Sequence, residues 1–266
     1  MPGRLVLLGH PVSQSLSPSF QNAALADAGL PLRYEALDVE PSRFESVLAE
    51  LHAEGVAGNV TAPFKERTHD ACDRLTPLAE RVGAVNVFWV EADGALVGDN
   101  SDVGGFDATA RTMVGGAPRD LSVGVLGASG AAAAVLAAVE QWPGCIAHVY
   151  NRTPERARQL AERFSSFAQP VDDAGVVAGA DLLVNATSVG LRDDSMPIDP
   201  ATVALGTRVV DLVYRREETR FVHALRARGL RACDGLEMLI EQGAIAFTRW
   251  FGIAPNRAVM WEAVRR

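Results

Sequence analysis

The sequence predicts an α/β fold whose second half is a Rossmann-type nucleotide-binding domain, and three observations carry that prediction. Strand-like apolar runs alternate with helical stretches through the first hundred residues, which implies a mainly parallel α/β layer. Leu121-Ser-Val-Gly-Val-Leu-Gly127 then runs into the alanine-rich stretch Ala131–Leu136 through Ala128-Ser129-Gly130 alone, a strand turning directly into a helix. A second strand-like run, Ile146-Ala-His-Val-Tyr150, ends at Asn151-Arg152-Thr153, where a βαβ unit places its second strand tip.

The strand–helix junction exposes the first N–H groups of a helix, which with the helix dipole favour a phosphate. Gly127 holds the first place of a G-x-G-x-x-G pattern, Ser129 the second and Ala132 the third, with Gly130 between. Small residues equally tighten an ordinary βα turn, so the second strand tip has to discriminate. A site for NAD usually carries a carboxylate there for the ribose 2′-OH. This chain has Arg152, with Arg156 one helical turn on, which suits a 2′-phosphate and favours NADP.

Length and composition bound the rest. A chain of 266 residues can bury a core in one large or two moderate domains. Its net charge of −8 argues against a nucleic-acid surface. No apolar run reaches the about 18 residues of a membrane span. The passage from Met1-Pro-Gly-Arg4 into a strand speaks against a signal peptide. Cys72, Cys145 and Cys233 are odd in number and lack metal-ligand spacing, so they read as buried thiols of a reducing cytoplasm, with no metal expected.

Taken in order, Arg4–Gly9 is a strand and about Phe20 to Ala28 a helix, with Ser17 as N-cap before Pro18. Ser15 precedes that cap, and two hydroxyls beside a helix N-terminus would hold a carboxylate. Leu32–Asp38 is a strand, Phe44–His52 a helix and Gly55–Thr61 a strand that sets Asn59 and Thr61 on one face. Lys65 opens the next helix, where a cation is unfavourable against the dipole, as suits a proton-transfer lysine. Val82–Phe88 and Ala95–Gly98 form a hairpin with Asp93-Gly94 as its turn. Asp99–Gly105 is polar and reads as a flexible crossing between domains, with Asp102 as N-cap of a helix over Val103–Met113 and at the mouth of a cleft. Beyond the nucleotide loop come a helix at Glu155–Arg163 and strands at Asp181–Asn185 and Arg208–Tyr214. A helix at Glu217–Arg228, a strand at Leu230–Gly235, and helices at Leu236–Phe251 and about Asn256 to Arg265 complete the chain.

With these pieces placed, the chain resembles the shikimate dehydrogenases over nearly its whole length. The resemblance rests on Gly9-His-Pro-Val with Ser15-Leu-Ser-Pro18, Asn59-Val-Thr-x-Pro-x-Lys65, Gly83-Ala-Val-Asn86, Asp99-Asn-Ser-Asp102 and Asn151-Arg-Thr153. It continues in Asn185-Ala-Thr-Ser-Val-Gly190, Asp211-Leu-Val-Tyr214, and Gly235-Leu-Glu-Met-Leu with Gln242-Gly243. It implies NADPH-dependent reduction of 3-dehydroshikimate to shikimate in aromatic amino-acid biosynthesis. It also implies a substrate domain over 1–102 and 237–266 and an NADP-binding domain over 103–236, as a monomer or homodimer.

Carried over by position, Lys65 and Asp102 match the catalytic pair, and Ser15 and Ser17 the carboxylate-binding serines. Asn59, Thr61, Asn86, Tyr214 and Gln242 match the remaining substrate contacts. The expected cofactor residues are Gly127, Ala128, Ser129, Gly130, Ala131, Asn151, Arg152, Thr153, Arg156, Thr187, Leu212 and Gly235. The chain departs from the family pattern at Gln14, Val87, Ser101, Val103 and Ser129-Gly130, which bears on whether shikimate, quinate or an amino-substituted analogue is preferred. A non-catalytic NADP(H)-binding sensor and a methylene-tetrahydrofolate-type dehydrogenase are the competing readings. Retention of Lys65 and Asp102 opposes the first, and the Ser-Leu-Ser loop opposes the second.

Overall fold

In the computed structural model, which describes residues 2–265, the apolar run Leu5–Gly9 forms β1 and is buried along its whole length. A strand apolar at every position belongs inside a sheet, and β1 is paired on both edges. In order there follow α1 (Ser17–Asp27), β2 (Tyr34–Asp38), α2 (Phe44–Ala53), β3 (Ala57–Val60), α3 (Lys65–Ala71) and β4 (Arg74–Leu75). Next come α4 (Pro77–Val82), β5 (Val87–Val90), β6 (Leu96–Asp99) and α5 (Asp102–Val114).

This first sheet has the order β2-β1-β3-β5-β6-β4. Its β2-β1-β3 part is parallel, but β5 runs antiparallel to both β3 and β6. The sheet is mixed but mainly parallel, as the alternation of elements suggested, since β4 pairs parallel with β6 and β5 is the one reversed strand. The cause is local: the Asp93-Gly94 turn, with Gly94 at φ 88°, folds β5 back onto β6. Val82, expected to open a strand, instead ends α4. Thr76 caps that helix from Ala79 N, and Gly83 closes it in the left-handed region.

The nucleotide-type half contains β7 (Ser122–Leu126), α6 (Gly130–Val139), β8 (Ile146–Tyr150), α7 (Pro154–Arg163), β9 (Ala168–Pro170) and α8 (Ala174–Ala178). It continues with β10 (Leu182–Asn185), β11 (Arg208–Asp211), α9 (Arg220–Ala227) and β12 (Ala232–Cys233), and the chain closes with α10 (Leu236–Phe251) and α11 (Arg257–Glu262). Its sheet is parallel throughout in the order β12-β11-β10-β7-β8-β9. The strand order reverses between β7 and β10, the switch point at which doubly wound sheets bind ligands.

The chain divides into two compact units, one running up to Gly105 and joined by Leu239–Arg265, the other spanning Phe106–Met238. The first packs around Val6, Leu8, Phe44, Leu48, Val60 and Phe88, and the second around Leu126, Leu183, Val209, Phe221 and Leu225. The divisions fall inside α5 and α10. The stretch from Asp99, read as a flexible crossing, does lead up to the division at Gly105, but it is packed in: Asp99, Asn100 and Ser101 are each 1% exposed. Polar residues so deep are tolerated because each has hydrogen-bond partners.

At the carboxyl edge of the second sheet, the buried Asp211 carboxylate accepts from Asn185 Nδ2 and Thr219 Oγ1, both at 2.8 Å, and from Val213 N at 3.1 Å. Burial pushes its pKa up to about 6, against the pull of those donors and with a small push from Asp234. Because the folded value lies above the unfolded 3.8, stability from this group is complete below about pH 4 and is lost as pH rises through about 6. The full swing is about 3 kcal/mol. Asp211→Asn removes it, so urea melts between about pH 4 and pH 7 should show a flatter stability profile than the parent. An unchanged slope would show that the carboxylate is ionised in the folded protein throughout.

Candidate functional site

The first unit places its polar side chains at the carboxyl ends of β1 and β3. Gly9 ends β1 so close to the β3 exit that a Cβ there would lie 2.3 Å from the Thr61 methyl. Thr61 N donates to Leu8 O at 2.8 Å and His10 N to Ala62 O at 3.1 Å, which ties the two exit loops together. One loop leads to Ser15 and Ser17 and the other to Lys65, the first residue of α3.

Lys65 Nζ donates to Asp102 Oδ2 at 2.6 Å. The second oxygen of that carboxylate accepts from Asn86 Nδ2 at 2.7 Å. The pair is unequally buried: 22% of the lysine side chain is exposed but only 8% of the aspartate. The carboxylate is fixed inside while the ammonium keeps an open side. Asp102 is thus the first residue of α5, and its carboxylate serves Lys65 and Asn86 in place of the expected N-cap role. Asn100 Oδ1 accepts from the Asp102 N–H instead, at 3.1 Å.

Asn86 is the hub. Its Oδ1 accepts from Ser101 N at 2.7 Å, and its Nδ2 also lies 3.0 Å from Ser101 Oγ and 3.4 Å from Gln242 Oε1. Ser101 Oγ donates to Gln242 Oε1 at 3.2 Å, while Gln242 Nε2 donates to Leu239 O at 2.8 Å. Asn59, expected to touch a ligand, is held within the protein. Its Oδ1 accepts from Tyr34 OH at 2.8 Å and its Nδ2 donates to Asn86 O at 3.0 Å. Lys65, Asp102, Asn86, Gln242 and Asn59 therefore form one network. Composition adds a point that the motif reading passed over: of the 25 basic residues, Lys65 is the only lysine. Arginine stays charged at any physiological pH and lysine can give up its proton, so the one lysine stands where proton exchange is feasible.

Ser15, Ser17 and Thr61 share this edge without entering that network. Ser17 is not the N-cap. The helix begins at Ser17 itself, with Leu16 in the cap position and no side-chain bond from it. Ser15, read as having no local role, is the residue with one: its Oγ accepts from Ser17 N at 3.2 Å. The Ser17 and Thr61 hydroxyls have no hydrogen-bond partner among the described residues. One turn beyond Ser17, Gln21 Nε2 donates to Gly243 O at 3.0 Å, linking α1 to the residue after Gln242. Tyr34, Asn100 and Gln21 were missed because their partners lie far along the sequence or, for Asn100, inside a motif whose outer residues attracted the attention.

In the second unit, Gly127 directly follows β7 at φ 109°, and a Cβ there would lie 2.9 Å from Ala186 O. Only glycine fits that left-handed, crowded position. Ala128 follows, and Ser129 caps α6 while its Oγ donates to Ala186 O at 3.1 Å, bridging the switch point. The N–H groups of Gly130 and Ala131 in the first turn have no partner among the described residues. At the tip of β8, Asn151 Nδ2 donates to Thr153 O at 2.9 Å, shaping the turn that presents Arg152. Arg152 and Arg156 are exposed, and their guanidinium groups have neither hydrogen bond nor ion pair among the described residues.

Thr187 Oγ1 donates to Asn185 Oδ1 at 2.7 Å and accepts from Val189 N at 3.1 Å, so it builds the loop after β10. Leu212 and Gly235 face one another across β11 and β12, where a Cβ on Gly235 would lie 2.2 Å from Leu212 O. Tyr214 is half-buried just beyond β11, in this second unit. No group of metal-ligating side chains occurs among the described residues, and no described helix is long and apolar enough to cross a membrane.

A family model for the shikimate dehydrogenase substrate binding domain matches residues 7–88, and one for the shikimate 5′-dehydrogenase C-terminal domain matches residues 235–265. An NADP(+) shikimate dehydrogenase from Moorella thermoacetica is 42% identical over 99% of this chain and 92% of its own. The crystal structure of shikimate 5-dehydrogenase from Thermus thermophilus, in complex with NADP(H) and shikimate, superposes with a TM-score of 0.88 at 41% identity, covering 99% of this chain and 98% of that one. Shikimate dehydrogenase from Aquifex aeolicus superposes with a TM-score of 0.91 at 34% identity, with 99% and 98% covered.

The hydroxyl geometry yields a stability test. Ser17→Ala breaks no cap and should leave the thermal midpoint within the error of the parent's. Ser15→Ala removes the acceptor of Ser17 N–H and should cost about 0.5–1.5 kcal/mol in denaturant melts. The reverse ranking would restore Ser17 as the cap.

Proposed function

The chain belongs to the shikimate dehydrogenase family, and from that premise we propose that it catalyses the reversible NADPH-dependent reduction of 3-dehydroshikimate to shikimate. The carrying observation is the 2.6 Å Lys65–Asp102 pair, built on the only lysine of the chain and set by Asn86. Reducing a ring carbonyl leaves negative charge on oxygen, so a proton donor must stand beside it. The ammonium of Lys65 supplies that proton, and in the oxidative direction the amine recovers it from the hydroxyl. Asp102 holds the lysine nitrogen in place and offsets its charge, with Asn86 keeping the carboxylate from turning away.

NADPH, when bound, supplies the hydride. The residues of the second unit suit it: a close-packed glycine at the strand end, open N–H groups at the start of α6, and two unpaired guanidinium groups at the next strand tip. Gly127 to Ala131 receive the diphosphate, and Arg152 with Arg156, Asn151 and Thr153 takes the 2′-phosphate. Thr187, Leu212 and Gly235 border the remainder. On this reading the second unit is the cofactor domain and the first the substrate domain. There Ser15 and Ser17 take the ring carboxylate, while Thr61, Asn86 and Gln242 take hydroxyls. Asn59 acts one step back by fixing Asn86, and Tyr214 is assigned to the substrate by its motif alone. We place the reaction in the reducing cytoplasm, which three free cysteines support, though only Cys145 is buried as expected and Cys72 and Cys233 are partly exposed. The groups named for proton transfer come from one chain, so a monomer or a homodimer serves equally.

Steady-state turnover with shikimate and NADP⁺, run beside quinate and NAD⁺, tests the reading directly. Faster turnover of quinate would shift the substrate, and no turnover with any pair would revive the sensor. Lys65→Met should lower kcat by about 10²–10⁴-fold with KM moved far less. Asp102→Asn should lower it too, and the double variant should be little worse than the poorer single one. A Lys65→Met enzyme of near-normal kcat would reduce this lysine to a binding role.

The cofactor assignment is checked separately. Arg152→Ala should weaken NADPH by about 10–100-fold, the value of one charge-assisted bond, and leave NADH nearly unchanged. Equal losses with both cofactors would remove Arg152 from the phosphate site.

A further inference from the structure

The Asp99 carboxylate is 1% exposed, and nothing in the proposed chemistry uses it. Such a group is tolerated only when donors surround it. Its Oδ1 accepts from Thr76 Oγ1 at 2.5 Å and from Asn100 N at 2.8 Å, and its Oδ2 accepts from Arg249 Nε at 2.7 Å. These donors belong to the cap of α4, to the turn itself and to α10. Asp99 is also the last residue of β6, three residues before Asp102.

Every residue of that turn is tied down. Asn100 Nδ2 donates to Ala84 O at 2.8 Å and its Oδ1 accepts from Asp102 N. Ser101 N donates to Asn86 Oδ1. Helix α10 grips the same turn at two points: Gln242 accepts from Ser101 Oγ at 3.2 Å, and Arg249 holds Asp99. Seven residues separate the two, which puts them on one face of the helix about two turns apart. The second grip is the charged one, and it closes on a half-exposed arginine.

We propose that the Asp99–Arg249 ion pair is a positioning latch, which fixes the end of β6 so that the following turn presents Asp102 to Lys65. Removing the guanidinium leaves Asp99 Oδ2 buried without its cation. The carboxylate then turns or draws in water, and the turn that carries Asp102 moves with it. Arg249 touches neither Lys65 nor Asp102, so its effect on the chemistry passes through the turn.

This inference rests on the proposed reaction, and turnover of the unaltered enzyme with shikimate and NADP⁺ tests that reaction by itself. Arg249→Met should lower kcat about tenfold, the scale of a sub-ångström misplacement of a catalytic group, with KM for shikimate moved far less. Arg249→Lys, which restores a cation, should recover most of the loss. In an Asp102→Asn background, Arg249→Met should lower kcat no further, because the group it positions has already lost its charge. A lowered melting temperature with parental kcat would make the pair merely structural. An equal loss in both backgrounds would show that Arg249 does not act through Asp102. A second measurement needs no turnover. Reductive ¹³C-dimethylation marks Lys65 as the only lysine side chain of the parent, and Arg249→Met should displace its methyl resonance, while Arg249→Lys should add a second lysine resonance and leave the first in place. A resonance unmoved by Arg249→Met would overturn the latch.

Discussion

The first unit's polar architecture depends on one constraint, the satisfaction of the buried Asp102 carboxylate. A carboxylate on a side chain only 8% exposed needs donors on both oxygens, and Lys65 and Asn86 provide them from two different segments. That requirement sets the entry to α3 against the entry to α5, and Val85 N donating to Lys65 O at 2.9 Å holds the backbone in the same register. An apolar cluster of similar shape would often be at least as stable, because desolvating an ion pair offsets much of its attraction. On the proposed function the arrangement serves chemistry rather than stability: it keeps a proton-bearing nitrogen at the rim of a rigid polar floor.

The use of lysine at that point strengthens this view. All the other basic positions are arginine, and arginine forms the better structural ion pairs: Arg67 with Glu45 and Arg257 with Glu241 are multiply bonded examples. A guanidinium at position 65 could pair with Asp102 equally well. It could not release a proton near neutrality. The exception in the composition thus coincides with the one place where geometry calls for proton exchange.

Much of the fold was legible in the sequence because its signals are local. The glycine-ended strand before an alanine-rich helix, the Asp-Gly hairpin and the parallel order of the second sheet all follow from short patterns. The sequence was weaker wherever a tertiary partner decides the outcome. Ser17 looked like a cap because Ser-Pro is a common helix start, yet the chain is already helical at Ser17 and Ser15 takes the local bond. Asp99–Gly105 looked like a linker because it is polar, yet its polarity serves hydrogen bonds made inside the protein. Tyr34 and Arg249 carried no signal, since their partners Asn59 and Asp99 stand 25 and 150 residues away.

The named site residues separate by hydrogen bonding into two kinds, and the separation bears on what each can do. Asn59, Asn86, Asp102 and Thr187 have their polar atoms engaged within the protein, so they form a prearranged frame that a ligand meets without reorganising it. The Ser17 and Thr61 hydroxyls, the Gly130 and Ala131 N–H groups and the two guanidinium groups at 152 and 156 have open bonding capacity. Open donors that water reaches are satisfied by it and exchange it for a ligand at little cost, whereas breaking the inner bonds would leave buried groups unsatisfied. On the proposed function the second kind carries most of the binding and the first the fixed geometry of proton transfer, with Asn86 reaching a substrate hydroxyl only beside the bonds it already makes. Lys65 alone belongs to both, anchored to Asp102 through one hydrogen and open on its other side.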